Sequence, residues 1–259
     1  MALTLALAAC RTGINYPGVS GPRFTGAAES SVADSSAALR VVSFNIKYAQ
    51  RVDSAISVLT SEAALQNADI ILLQEMDESG TKQIADTLGM SFVYYPATFH
   101  IKHHKHFGNA VLSRWPIVAD EKLVLPHIAR FTRTQRIATA ATVRVRESLI
   151  RVYSTHLGTP ADVGPGSRRE QLSTILKDAS GFDRVVIGGD FNNHGVGKVA
   201  RDSGYAWPTE KGPRTMLIGR WDHIVFKGLT SPDSAGSGTI GNVRHASDHK
   251  PVWAVGVLK

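Results

Sequence analysis

Short, β-branched apolar runs alternate along this chain with longer stretches of helical apolar spacing, and that pattern leaves few folds open. It is the signature of an α/β protein, whose strands are buried beneath helices. Val41-Val42-Ser43-Phe44-Asn45-Ile46 reads as a buried strand, and residues 53–66 as an amphipathic helix carrying Ile56, Leu59, Ala63 and Leu65. Ile70-Ile71-Leu72-Leu73 reads as a second buried strand, followed by a short helix over 81–88. Further strands are expected at 109–112, 137–145 and 149–155, then a polar helix at 167–179 and a strand at 185–187. No internal repeat or second linker interrupts the pattern, so residues 39–259 are expected to form one domain.

The ends of these strands carry the functional signal. The first ends in Asn45, the second in Gln74-Glu75, the 149–155 strand in His156, and the last in Asp190 with Asn192 just beyond. A sheet fixes such side chains while the adjoining loops stay open to solvent, which is where sheet-based folds place their sites. One strand-terminal Glu or His is ordinarily a solvated or capping residue; four such ends together point to a site. Asn45, Glu75, Asp190 and Asn192 are hard oxygen donors, suited to Mg²⁺ or Mn²⁺ rather than zinc. Ser247-Asp248-His249 and Trp221-Asp222-His223 each set a carboxylate beside an imidazole. A histidine that acts as a base needs a carboxylate on its second nitrogen to fix its tautomer and orientation. Oxygen ligands for a metal and an oriented histidine are equipment for cleaving a phosphate ester.

The charge agrees with an acidic partner. The 259 residues hold 29 Lys and Arg against 22 Asp and Glu, a net charge of +7. This favours a phosphate ester, nucleic acid or anionic lipid without selecting among them. One cysteine, Cys10, excludes an internal disulfide framework and any multi-cysteine zinc site. Residues 1–10 form a small-apolar stretch ending in Leu7-Ala8-Ala9-Cys10, which is similar to the lipobox of bacterial lipoproteins, although no Lys or Arg precedes it. That resemblance implies export, a lipid on Cys10 and a membrane-anchored place in the cell envelope; without it the protein would be cytoplasmic. Gly, Pro, Ser and Ala fill 16 of the 28 positions in residues 11–38, so a flexible tether with no net charge is expected there.

Seven blocks, in order, resemble the endonuclease/exonuclease/phosphatase superfamily: Ser43-Phe44-Asn45-Ile46, Leu72-Leu73-Gln74-Glu75, residues 108–114, Ser154-Thr155-His156-Leu157, Gly188-Gly189-Asp190-Phe191-Asn192, Trp221-Asp222-His223-Ile224 and Ser247-Asp248-His249. The resemblance implies a DNase I-like four-layer α/β/β/α sandwich with its site at one rim. It implies a metal site of Asn45 and Glu75, with Asp248 near the ion, and Mg²⁺ or Mn²⁺ as cofactor. Asp190 and Asn192 would position the attacking water or a phosphate oxygen. His249 would be the general base or an electrostatic stabiliser, with Asp222 orienting it, and His156 would bind the scissile phosphate. Asn109 and Arg136 fall in blocks that approach the substrate.

The activity so implied is metal-dependent hydrolysis of a phosphate ester, by a phosphodiesterase, nuclease or phosphatase acting as a monomer. Nucleic acid, a phospholipid headgroup and an inositol phosphate all remain open as substrates. A catalytically inactive phosphate- or nucleic-acid-binding protein on the same fold is the alternative. Two features depart from relatives within that group. Lys47 stands where many DNA-repair members carry an acid, and the extra acidic block of inositol phosphatases has no clear match. His100-Ile101-Lys102-His103-His104-Lys105-His106 reads as a solvated basic loop, in which Lys102 and Lys105 could meet phosphate groups.

Overall fold

The computed structural model describes residues 12–28, 38–232 and 236–258. The expected lipid site Cys10, the segment before it, Arg11, and residues 29–37 of the expected tether lie outside the described residues.

Two sheets stack face to face. The larger runs β1(Gly13–Asn15), β5(Ser91–His100), β6(Lys105–Ser113), β4(Ile70–Met76), β3(Ala38–Asn45), β14(Val252–Leu258) and β12(Leu229–Thr230). In addition, β2(Phe24–Gly26) pairs with β5 and β13(Ser237–Thr239) with β14. The smaller sheet has the order β11(Asp222–Lys227), β10(Val185–Asp190), β9(Ser148–His156), β8(Ile137–Val145) and β7(Ile117–Val124). Helices α1(Val52–Ser61) and α2(Glu78–Leu88) cover the first sheet, and α3(Pro165–Asp178) and α4(Lys198–Asp202) the second.

The unbroken apolar runs explain this layering, because successive side chains of a strand face opposite sides. Val41, Ile70, Leu72 and Val111 meet Ala141, Val143, Val152 and Val186 between the sheets. Their neighbours Val42, Phe44, Ile71 and Leu73 turn outward onto Ala55, Val58 and Ile84 of the first helical layer. Ala138, Tyr153, Val185 and Ile187 do the same against Leu172 and Ile175 of α3. The four-layer α/β/β/α sandwich is therefore present.

Direction of pairing gathers the polar strand ends. β3 runs parallel to β4, and β9 parallel to β10, so Asn45 and Gln74 are neighbours, as are His156 and Asp190. β11 is antiparallel to β10 and starts at Asp222, opposite Asp190. β14 is antiparallel to β3 and begins opposite Ser43, which delivers His249 to the same rim.

The flexible tether expected over 11–38 is corrected for its described part. Gly13–Asn15 and Phe24–Gly26 both add to β5 as short antiparallel strands. The buried Lys122 ammonium holds the intervening turn through the carbonyls of Tyr16 (3.1 Å) and Gly21 (2.7 Å). Arg23 clamps Asp120 with two hydrogen bonds of 2.6 Å. Backbone pairing at a sheet edge needs no apolar side chains, so composition was blind to it.

Candidate active site

Asn45 is the hub between the two sheets. Its amide donates to Glu75 Oε1 and to Asp190 Oδ2, each at 3.2 Å, and so joins a carboxylate of one sheet to a carboxylate of the other. Its Oδ1 accepts from the backbone N–H of Lys47 at 3.1 Å. Glu75 takes a second bond from the Tyr48 N–H at 3.1 Å.

Backbone geometry aims these groups. Glu75 sits in a left-handed conformation (φ 58°) where the β4–β6 register slips between Leu73 and Met76. A bulge of this kind re-aims a side chain at a strand end. Asn192 (φ 53°) and Tyr48 (φ 56°) share the left-handed region, which a non-glycine residue enters at a cost of about 1–3 kcal/mol. Asn192 fixes Asp190 by donating its N–H to Oδ1 at 2.8 Å, while its own amide holds the Leu157 carbonyl at 2.9 Å.

Three more side chains converge on the carboxylates. His156 is buried, with Nε2 3.4 Å from Asp190 Oδ2 and Nδ1 3.8 Å from Glu75 Oε1. His249 Nε2 lies 3.7 Å from the same Asp190 oxygen, and its Nδ1 is bonded to Asp222 Oδ2 at 2.9 Å. Buried Arg136 adds positive charge that both Glu75 and Asp190 feel, and its Nε has no hydrogen-bond partner among the described residues.

Burial and charge pull the titrations apart. Burial raises Glu75 above the usual carboxylate range, against the Asn45 bond and the charge of Arg136. Burial and the Asp222 charge push Asp190 up to about 7. Burial holds His156 well below an ordinary histidine, helped by Arg136 and His249, so it is neutral. For His249, burial disfavours the cation, but the charge and hydrogen bond of Asp222 outweigh it and raise the group to about 10. The rim thus holds one neutral and one cationic imidazole.

A divalent cation fits this donor set. Glu75 Oε1 and Asp190 Oδ2 offer hard oxygens, each 3.2 Å from the Asn45 amide nitrogen. Asn45 would add its Oδ1 by turning its amide over, away from the Lys47 N–H. A neutral imidazole carries one N–H and one lone pair. His156 therefore turns a lone pair toward one of two carboxylates in either tautomer, a mismatch that a cation between them removes. The buried Asp190, Asp222 and His249 ligand atoms also lie within 4.8 Å of one another. The 2.9 Å bond between Asp222 Oδ2 and His249 Nδ1, however, commits one atom of each of these two residues to the other.

Asn45, Glu75, His156, Asp190, Asn192, Asp222, His249 and Arg136 are thus brought together. Two expected residues have partners of their own. Asp248 is exposed and pairs with Lys47 at 3.2 Å. Asn109 spends its amide on the Ile137 carbonyl at 3.0 Å, which secures the strand start beside Arg136. In the histidine-rich stretch, His100 ends β5, while Lys105 and His106 open β6. Lys105 pairs with Asp77 at 2.9 Å and is not free for phosphate, a correction to the loop reading.

Sequence reasoning missed the aromatic wall beside this rim. Tyr48 packs on His103 (4.5 Å between ring centroids), His100 (5.2 Å) and Phe107 (5.2 Å), and Phe107 reaches toward His156 (6.1 Å). It also missed Thr215, whose hydroxyl accepts from the backbone N–H groups of Trp221 and Asp222.

Solved structures share this architecture. An endonuclease/exonuclease/phosphatase from Beutenbergia cavernae is 20% identical, with a TM-score of 0.67 over 85% of this chain and 72% of its own. D. rerio TDP2 complexed with single-strand DNA product is 17% identical, with a TM-score of 0.66 over 86% of this chain and 99% of that one. The human Nocturnin catalytic domain with bound sulfate is 19% identical, with a TM-score of 0.64 over 92% and 98%. No curated protein matches the sequence. The family model described as Endonuclease/Exonuclease/phosphatase family matches residues 42–249, a span that runs from β3 through His249 and holds every residue of the site, and the chain belongs to that family.

Proposed function

We propose that the protein hydrolyses a phosphate ester with the help of Mg²⁺ or Mn²⁺. The observation that carries this reading is the pair of buried carboxylates, Glu75 and Asp190, bridged by one Asn45 amide at 3.2 Å on each side. Two buried acids held this close need a cation or a proton between them. Glu75 and Asn45 would hold the ion, and its charge would offset the negative charge that builds on the phosphoryl oxygens.

The chain's own residues divide the remaining work. Asp190, raised to about 7, is poised to accept a proton from an attacking water near neutral pH. Asn192 keeps that carboxylate aimed through its backbone bond. His249 is cationic at neutral pH, so it serves as electrostatic stabiliser rather than base, with Nε2 turned to the reacting side. Arg136 faces the same centre with an unsatisfied Nε, available to a phosphate oxygen. Neutral His156 lines the floor between the acids and presents a nitrogen to the phosphate. Asp248 and Lys47 lie outside this inner set and form part of the entrance.

The deciding experiment is an activity panel with and without Mg²⁺, covering a soluble chromogenic phosphodiester, plasmid DNA, sphingomyelin and inositol phosphates. Hydrolysis of at least one substrate that EDTA abolishes and Mg²⁺ restores is expected. Folded protein inactive on the whole panel, yet retaining DNA or phosphate, would establish a binding protein instead.

A further inference from the structure

Most large apolar side chains exposed on this protein crowd around the site. Of nine such residues among the described ones, five stand on three loops of the rim: Ile101, Ile128, Phe131, Leu217 and Ile218. Leu217 is 86% exposed, Ile218 68% and Phe131 57%.

Their loops are tied to the catalytic groups and to each other. The tip carrying Leu217 and Ile218 is a tight turn closed by Met216 and Gly219. Its base is fixed by the Lys250 N–H on the Thr215 carbonyl (2.8 Å) and by Trp221, whose ring lies 6.3 Å from His249. On the other side, Ile101 donates its N–H to Thr12 (3.0 Å), and Thr12 donates to Thr132 in the loop of Ile128 and Phe131. That loop meets the segment after His156 through Arg130 and Phe131, which both donate backbone N–H groups to Asp162.

Basic residues punctuate the same tips. Arg214 and Arg220 flank the first, Arg130 and Arg133 belong to the second, and Lys102 follows Ile101. All five are exposed, and none is within 4.0 Å of a carboxylate among the described residues. Exposed apolar tips on hydrogen-bonded turns, surrounded by cations without a carboxylate partner among the described residues (Arg130 lies over the Phe131 ring), match the interfacial region of an anionic bilayer. Nucleic acid would use the cations and could stack on Phe131, but it would gain little from the other four tips, Ile101, Ile128, Leu217 and Ile218, which offer no stacking face.

We infer that the rim is a membrane-docking surface for anionic phospholipid, which sets the catalytic groups against headgroups at the bilayer interface. Taken with the proposed hydrolysis, this names the substrate class as a phospholipid phosphate ester, but the docking itself does not depend on turnover.

The test uses the full chain with Cys10→Ser, so that no acyl group contributes, and with EDTA present, so that hydrolysis does not. Co-sedimentation is measured on phosphatidylcholine vesicles with and without about one-third phosphatidylglycerol. Binding is expected only to the anionic vesicles. Leu217→Ser with Ile218→Ser should weaken it at least about tenfold, since two buried aliphatic groups are lost. Arg214→Gln with Arg220→Gln should weaken it and flatten its salt dependence. Both double variants are expected to cleave a soluble phosphodiester at the wild-type rate, which keeps docking separate from catalysis. Docking is overturned if the unmodified rim ignores anionic vesicles. It is equally overturned if the apolar variants bind them undiminished, or if an oligonucleotide binds and only the arginine changes weaken it. Activity on the soluble ester would survive any of these results.

Discussion

Asp222 grips His249 through a 2.9 Å bond between Oδ2 and Nδ1, and both side chains are buried at the junction of the two sheets. The second carboxylate oxygen, Oδ1, is buried without a hydrogen-bond partner among the described residues. Among the described residues the acid thus gives its one side-chain hydrogen bond to the imidazole, and its charge there keeps His249 protonated.

The two residues should act as a unit. His249→Ala removes the cation, and Asp222→Ala leaves an imidazole that burial neutralises. Each single change is expected to lower kcat/KM by roughly 10²–10³-fold, as for the loss of one electrostatic stabiliser. The double variant should be little worse than either. Full additivity in a double-mutant cycle on kcat/KM would mean that Asp222 does not work through His249.

Stability should carry the same signature. The folded-state value of His249, about 10, lies above its ordinary 6.5. The contribution of the pair to stability is therefore fully present below pH 6.5 and lost as the pH rises through about 10. Asp222→Asn should flatten this dependence, as read from urea midpoints between neutral pH and about 10.

Activity depends on pH through both partners of the reacting centre. Asp190 must be ionised and His249 protonated, so kcat/KM should rise as Asp190 ionises and fall towards about 10. The acid limb belongs at or below about 7, since a bound cation favours the carboxylate. In Asp222→Asn the alkaline limb should move down. An alkaline limb that stays in place in that variant would assign it to another group.

How far the sequence disclosed this arrangement depends on the physical reach of each signal. Runs such as Ile70–Leu73 fixed the buried strands, because only a sheet covered on both faces tolerates four consecutive apolar residues. The polar ends Asn45, Glu75, His156 and Asp190 marked the rim for the same reason. Strands β5 and β7 were not legible: Tyr94 to Thr98 mixes aromatic residues with Pro96, and β7 carries Asp120, Glu121 and Lys122. Their strand character comes from pairing with distant partners and from ion pairs such as Arg23–Asp120. Helix α2 starts three residues before the expected 81, because Asp77 caps it by accepting from the Gly80 N–H at 2.7 Å. The pairing of Asp248 with Lys47 joins residues about 200 positions apart, which no linear motif encodes.

Glu75→Gln should nearly abolish turnover without unfolding the protein. Burial already disfavours the Glu75 charge, so a neutral isostere should leave the melting temperature in EDTA unchanged or raise it. Wild-type protein should gain thermal stability as Mg²⁺ is added, by mass action on a site present only in the folded state. The variant should lose that gain. An equal Mg²⁺-dependent rise in both proteins would place the ion elsewhere.

Gly189 is where the fold is least forgiving. It lies beside Asp190 on β10, opposite Thr155 on β9, with φ at 149°. A Cβ there would sit 1.8 Å from the Thr155 carbonyl oxygen, a clash with backbone that no rotamer relieves. Alanine must therefore push apart the parallel pair that sets His156 Nε2 3.4 Å from Asp190 Oδ2. A loss of at least about 3 kcal/mol is expected, judged from overpacking and left-handed strain acting together. Urea denaturation gives the stability directly. Activity at a temperature where the variant is still folded separates the local effect from the global one. If strands β9 and β10 move apart, kcat should fall even in the folded fraction, and the affinity for Mg²⁺ should fall with it. A variant with wild-type stability and activity would show that Asp190 and His156 do not depend on this close approach.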